Sequence, residues 1–251
     1  MFQRIKSTSR PKHSRLYQMR LLMLSWMGTA ALLPGAEERS IPLNYQRGEL
    51  YALDAIGDVP HLDTSGQLEL GRYYITTLDC WIEFSLEGGK RIRVAPESTF
   101  CVHSETHFQL YMGNSVVNTP KSGNRLRLSS AKSSCTVTRG SLILEATSNL
   151  GLKMIPLDYE MTIENAEGLR RTLEPGQLIF LKPFGNEFGM TLDIFLMELV
   201  GTSELLHEFP EDFPSIRRIQ KEAKLQQLMI SGYADATVGD AHTRDEFLLN
   251  K

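Results

Sequence analysis

Alternation of apolar and polar residues is the main pattern in the middle of this chain of 251 residues. In residues 80–86 every second side chain is apolar, and Trp81, Glu83 and Ser85 lie between them. Residues 87–90 contain a Gly-Gly turn, and residues 91–94 alternate again. Two alternating runs around such a turn predict a β-hairpin, with Trp81 on the side opposite Ile82.

Similar short runs continue to residue 181. They fall at residues 99–103, 107–112, 125–128, 134–138, 141–146, 151–155, 159–164, 169–173 and 177–181. They are separated by turn-forming residues at Gly113-Asn114, 121–124, Arg139-Gly140, Asn149, Gly168 and Pro175-Gly176. Turns at such regular spacing predict an all-β fold, an antiparallel β-sandwich or β-roll of many short strands.

The pattern changes after Pro183, and we expect a short helical C-terminal extension over residues 183–232. Residues 192–199 have helical character, and Thr202-Ser203-Glu204 is able to cap a short second helix. Ser215 is able to cap a third helix, which ends near Ser231 before Gly232. Its predicted apolar face, which packs back on the β domain, contains Ile216, Ile219, Ala223 and one or more of Leu225, Leu228 and Met229. Residues 233–251 are predicted to be a flexible tail.

The N-terminal segment has the layout of a secretory signal peptide. Residues 1–20 carry six basic residues and no acidic one, an apolar run fills residues 21–33, and Pro34-Gly35-Ala36 precedes Glu37. We expect cleavage near Ala36 and a periplasmic or otherwise exported protein. An uncleaved signal anchor is the alternative, and membrane contact is expected only in that case. Residues 37–48 are expected to form an extended lead-in.

Charge and cysteine content narrow the function classes. The chain has 27 basic and 30 acidic residues, so without the six basic residues of the leader it has 21 against 30, a net charge of −9. This sign argues against a nucleic-acid partner. Cys80, Cys101 and Cys135 allow one disulfide and one free thiol, or three small buried residues, and the sequence leaves both open.

The sequence contains no motif that indicates catalysis. On a strand, one face would carry His103, Glu105 and His107, and two histidines with a carboxylate are able to hold a metal ion. We instead expect a polar loop or a solvent-facing strand there. The chain has no Gly-x-Ser-x-Gly nucleophile motif and no Walker or dinucleotide-binding pattern. We therefore predict that it is not an enzyme, and we assign no catalytic, cofactor-binding or metal-binding residue.

Residues 49–181 resemble the FecR domain family in five short motifs. They are Leu68-Glu69-Leu70-Gly71 with Ile75-Thr76-Thr77, the hairpin at residues 82–94, residues 95–99, residues 135–141 and residues 172–177. The sequence departs from the family pattern at Arg72 and Glu87, where Asp is usual, and at Gly89, which replaces the turn Ser. The resemblance implies a β-rich periplasmic module, here residues 49–182, that binds a partner.

The resemblance does not extend to the whole regulator. The best-known members carry a cytoplasmic sigma-factor-binding region before their membrane helix, and only about 20 residues precede the apolar run here. We therefore expect no anti-sigma region and leave open a role in sigma-factor signalling. The predicted function is protein–protein recognition, sensing or scaffolding in the cell envelope, with an unknown envelope protein as partner. The alternative is a carbohydrate-binding module that uses Trp81, Tyr73, Tyr74 or Tyr111.

Overall fold

Seventeen β-strands, followed by helices near the C-terminus, make up the part of the chain that the computed structural model describes: residues 39–56, 58–121, 125–147, 151–184 and 187–233. The predicted leader at residues 1–36 and the tail beyond Tyr233 lie outside the described residues, as do the predicted turn residues Ser122, Gly123, Asn124 and Asn149. Within the described part, no helix is both long and apolar enough to span a membrane.

The bounds of the strands are β1 Ser40–Arg47, β2 Leu50–Leu53, β3 His61–Asp63, β4 Gln67–Glu69, β5 Tyr73–Thr76, β6 Trp81–Leu86, β7 Lys90–Val94, β8 Thr99–Ser104, β9 His107–Thr119, β10 Leu126–Ser129, β11 Ser134–Val137, β12 Gly140–Ala146, β13 Leu152–Pro156, β14 Met161–Asn165, β15 Arg170–Leu173, β16 Gln177–Leu181 and β17 Phe188–Asp193. Of the seventeen strands, sixteen form two sheets that share β9, and β4 pairs with β1. The prediction of an all-β fold of many short strands is confirmed.

The first sheet, which we call the inner sheet, has the order β1-β6-β7-β9-β12-β13-β16-β17 and is antiparallel throughout. The second, the outer sheet, has the order β3-β2-β5-β8-β9-β10-β11-β14-β15. Its strands are antiparallel except for the parallel pair β9 and β10. Strand β1 also pairs with β4, so the predicted extended lead-in is part of the sheet structure.

The inward faces of the two sheets form one apolar core. Ile82 and Phe84 of the inner sheet and Phe100 and Phe108 of the outer sheet are fully buried in it. The rings of Phe84 and Phe100 stack with centroids 6.2 Å apart. This arrangement is a β-sandwich, in which the two-residue period of each strand directs alternate side chains into the space between the sheets.

Strand β9 belongs to both sheets. Its first half pairs with β8 and β10 in the outer sheet, and its second half, from Gly113, pairs with β7 and β12 in the inner sheet. Gly113 has a φ of +94°, in the left-handed region that favours glycine. The break predicted at Gly113-Asn114 is therefore wrong: the chain changes sheets there without leaving the strand.

A helical extension covers the second face of the inner sheet. Its elements are α1 Leu196–Thr202, α2 Glu204–His207, α3 Ile216–Leu228 and a π-helical turn, Met229–Tyr233. The helical character predicted from residue 192 begins later, because residues up to Asp193 complete β17. The molecule thus has three layers: outer sheet, inner sheet and helices.

Candidate binding face

The contact between the helical extension and the inner sheet is largely apolar. Trp81, Val116 and Ile143, which point away from the sandwich core, pack in one cluster with residues of the helices. From α3 the buried residues are Ile216, Ile219 and Ala223, so the predicted packing of this helix on its own β domain is confirmed. Leu225, Leu228 and Met229, the other candidates for its apolar face, are 43%, 53% and 55% exposed. That part of the prediction is wrong.

A buried arginine joins the two layers. Arg93 of β7 has no solvent exposure, and its Nε lies 2.5 Å from Oε2 of Glu83 on β6. Its terminal nitrogens donate to the carbonyl oxygens of Leu205, Leu206 and Glu211 in the helical extension. Burial lowers the pKa of the Arg93 guanidinium, and the ion pair with Glu83 acts against that shift.

Two phenylalanines of the extension enclose the same guanidinium. Its central carbon lies 4.2 Å from the ring centroid of Phe209 and 5.1 Å from that of Phe213. Such cation–π contacts are stronger when the cation is desolvated. Arg93 therefore satisfies the carbonyl groups where α2 ends and fixes the segment that leads to α3.

A second polar joint lies at the start of α3. The sequence predicted that the Ser215 side chain caps this helix, but it forms no capping hydrogen bond. Its hydroxyl instead forms a hydrogen bond with the hydroxyl of Ser141 on β12. Asp158 accepts hydrogen bonds from the Ser141 N–H at 2.6 Å and from the Ser141 hydroxyl at 3.2 Å. Burial raises the pKa of Asp158, against the effect of these hydrogen bonds. Ser141 is buried and Ser215 is half-buried, and the hydrogen bond between them orients the start of α3 on the sheet.

At its other end α3 leaves a groove beside the sandwich. Gln226 accepts a hydrogen bond from the Leu196 N–H at 2.8 Å and donates to the Ile194 carbonyl at 2.9 Å, which holds the helix against the start of α1. A cavity of about 500 Å³ opens next to this contact. Its apolar wall consists of Pro175, Leu225, Met229 and Ile230.

Acidic side chains surround that apolar wall. Four carboxylates line the cavity: Glu160, Glu174, Asp193 and Glu222. They come from the position just before β14, the β15–β16 turn, the end of β17 and helix α3. Among the described basic residues, none forms an ion pair with any of the four. We call this feature the acid-rimmed groove.

The structure brings the histidines together but gives them other partners. The rings of His103 and His107 stack with centroids 4.6 Å apart, and each ring bonds a neutral side chain, Gln109 for His103 and Ser129 for His107. Glu105 instead accepts the backbone N–H of Glu87 at 2.6 Å. Burial lowers the pKa of His107 to about 4, and the charges of His103 and Arg127 add to this. In the described ranges, no group of three His, Cys, Asp or Glu side chains is placed to hold a metal ion.

The aromatic residues considered for sugar binding are covered or engaged with one another. Trp81 is 5% exposed and meets the Phe209 ring edge-on at 5.8 Å, so it faces a second layer rather than solvent. Tyr74 is buried against Phe100, and the Tyr111 hydroxyl donates to that of Tyr73 at 3.2 Å. Trp81 and Tyr74 are therefore not available as stacking platforms.

All three cysteines are buried free thiols. Burial raises the pKa of Cys80 to about 11 and those of Cys101 and Cys135 to about 12. A thiol with such a pKa is protonated at neutral pH and is a poor nucleophile. Of the two arrangements that the sequence left open, the structure has the three buried residues.

No protein-family model matches the chain, and no curated protein matches it either. Two similar solved structures are crystal structures from Parabacteroides distasonis, each described provisionally as an anti-sigma factor. The first has 10% sequence identity and a TM-score of 0.39, over 49% of this chain and 59% of its own. The second has 11% sequence identity and a TM-score of 0.41, over 53% of this chain and 63% of its own. This chain thus spans about three fifths of each.

Proposed function

We propose that this protein is a non-enzymatic binding module of the cell envelope that recognises a basic, partly apolar polypeptide segment through the acid-rimmed groove. The observation that carries this proposal is the combination of four carboxylates without ion-pair partners and an exposed apolar helix end in one concave site. Lysine or arginine side chains of a partner would compensate the carboxylates, and its apolar side chains would cover Leu225 and Met229.

The size of the site suits this kind of partner. A cavity of about 500 Å³ holds a few side chains, within the usual range of roughly 300–1,000 Å³ for binding pockets. Removal of apolar surface from water contributes about 25 cal/mol per Å², and charge complementarity adds specificity and association rate. A polypeptide with one basic and one apolar face would gain from both terms.

The location proposed for this activity is the periplasm or another exported compartment. The leader-like sequence at residues 1–36 and the FecR-like motifs of residues 49–181 support it. Sensing or scaffolding in the envelope is the role we propose for the bound state. Carbohydrate binding through Trp81 is not proposed, because that ring lies beneath the helices.

Fluorescence anisotropy with a labelled amphipathic peptide of lysine and leucine tests the groove. We expect the triple variant Glu160→Gln, Glu174→Gln, Glu222→Gln to bind this peptide roughly tenfold more weakly, since each lost charge removes part of the attraction. The matched control is Glu167→Gln, Glu198→Gln, Glu204→Gln, which removes the same charge from exposed positions outside the groove. Equal weakening in both triple variants, or no binding by the unmodified protein, would contradict the proposal.

A further inference from the structure

A second cavity, of about 290 Å³, lies on the outward face of the outer sheet. Parallel pairing sets Arg127 of β10 beside His107 of β9, and Ser129 beside Gln109. Because Phe108 and Leu128, which alternate with these residues, point into the sandwich core, the four polar side chains share the opposite face. The strands thus build a polar floor for this cavity.

Hydrogen bonds hold the floor in place. His107 Nε2 lies 2.8 Å from the Ser129 hydroxyl, and the Gln109 amide donates to the Ser130 carbonyl at 2.8 Å. The Arg127 guanidinium donates to the Ser134 hydroxyl on β11 at 3.3 Å, which keeps its charge at the cavity. A group entering from solvent therefore meets preorganised polar side chains rather than freely moving ones.

The tight turn between β10 and β11 forms one wall. The Ser130 hydroxyl accepts the N–H groups of Lys132 at 3.3 Å and of Ser133 at 3.1 Å. The Ser133 hydroxyl donates to the Lys182 carbonyl at 2.8 Å, which ties the turn to the segment that carries Phe184. These hydrogen bonds fix the backbone position of Lys132 in the turn.

An aromatic ring stands at the mouth of the cavity. Phe184 is 70% exposed, and its φ of 71° is in the left-handed region that bulky residues rarely adopt. The Lys132 ammonium lies 4.5 Å from its ring centroid. Backbone conformations of this kind cost free energy and cluster at active sites and ligand-binding positions, where the surrounding structure maintains them.

The charge of this cavity is opposite to that of the whole protein. Arg127 and Lys132 line it, and no carboxylate does so among the described residues. Neither cation has a carboxylate within 4.0 Å in the described part of the chain. The full sequence nevertheless has three more acidic than basic residues.

We propose that this cavity binds a phosphate or sulfate group, either as the free ion or as an ester on a sugar. Arg127 and Lys132 supply the positive charge. The Ser134 hydroxyl accepts a hydrogen bond from Arg127, so its own proton points to the oxyanion in this proposal. Phe184 packs on the organic part of an ester. This site is separate from the acid-rimmed groove, and its occupancy does not depend on the partner proposed there.

Isothermal titration calorimetry of the purified full chain tests the proposal with four probes: inorganic phosphate, inorganic sulfate, glucose 6-phosphate and glucose. We expect at least one of the three anions to bind and glucose to fail. Arg127→Gln and Lys132→Gln should each weaken that binding roughly tenfold, because a charge-assisted hydrogen bond or ion contact is lost. The control Arg171→Gln, an exposed cation on β15 outside the cavity, should leave it unchanged.

Phe184→Ala distinguishes the two sources of the anion. A loss of affinity for glucose 6-phosphate without a loss for phosphate identifies the ester as the ligand, and equal affinities of both probes in both proteins identify the free ion. No heat with any anion, or the same loss in Arg171→Gln as in Arg127→Gln, would overturn the proposal. All four substituted side chains are at least partly exposed, and an unchanged melting midpoint verifies that each variant is folded.

Discussion

Arg93 carries a positive charge at a position without solvent exposure. A fully buried guanidinium requires charge compensation and acceptors for its N–H groups, because an unpaired buried charge is very costly. Glu83 supplies the charge, and three carbonyl groups of the helical extension supply the acceptors. One residue of the inner sheet therefore determines how the chain after α2 lies on that sheet.

Replacement of Arg93 by Met should destabilise the protein by about 3–5 kcal/mol, the range for removal of one partner from a buried ion pair. Glu83 would remain buried without its principal cation, and the carbonyl groups would lose their donors. Urea unfolding measures the change, with Arg171→Met as the control on an exposed strand position, where about 0.5 kcal/mol or less is expected. A loss of under 1 kcal/mol for Arg93→Met would show that this joint is not important for stability.

At the scale of the element, the 13 residues of β9 link the two sheets. The link depends on Gly113, because a Cβ at this position would lie 2.7 Å from the Ser98 Cα. Real Cβ atoms essentially never come so close to backbone, and the positive φ adds strain for any L-residue. Gly168, in the turn between β14 and β15, has a similar φ of +81° but open space around it.

The two glycines form a matched pair for mutation. Gly168→Ala should cost about 1–2 kcal/mol, the usual penalty for the left-handed conformation. Gly113→Ala should cost more than this by at least about 1 kcal/mol, because β8 or β9 must also move to relieve the contact with Ser98. Urea midpoints of both variants provide the comparison. Equal losses would mean that the close approach of the backbones at Gly113 does not constrain the fold.

The elements differ in how far the local sequence pattern predicts them. The hairpin of β6 and β7 follows from local alternation and a Gly-Gly turn, and the structure has it with both turn glycines at positive φ. Burial of Trp81 and Glu83 on its second face could not be predicted from that pattern. It depends on helices that begin more than 100 residues later in the chain.

For the molecule as a whole, the three-layer arrangement creates the candidate site. Glu160, Glu174, Asp193 and Glu222 are scattered in sequence and read as ordinary solvated acids. The fold gathers them beside the exposed end of α3, which is a tertiary result with no local signature. The sequence did indicate helix α3 and its packing on the β domain, and these two features position one wall of the groove.

The protein also has two separate surfaces of opposite charge. The acid-rimmed groove lies where α3 meets the strands β14 to β17, whereas the cationic cavity lies over β9, β10 and β11 of the outer sheet. If both proposals hold, the protein binds a polypeptide and a small anion at the same time, which suits the sensing or scaffolding role proposed above.

Site-specific photo-crosslinking in native cells tests the central claim, recognition of a basic polypeptide through the groove, most directly. A benzophenone amino acid at Leu225, in the groove, is compared with one at Leu169, which is 52% exposed on the turn before β15. We predict an adduct from position 225 only, lost in the Glu160, Glu174 and Glu222 triple variant, with mass spectrometry placing the crosslink in a segment rich in lysine or arginine. Equal adducts from both positions, or a crosslinked segment that is acidic, would contradict the account.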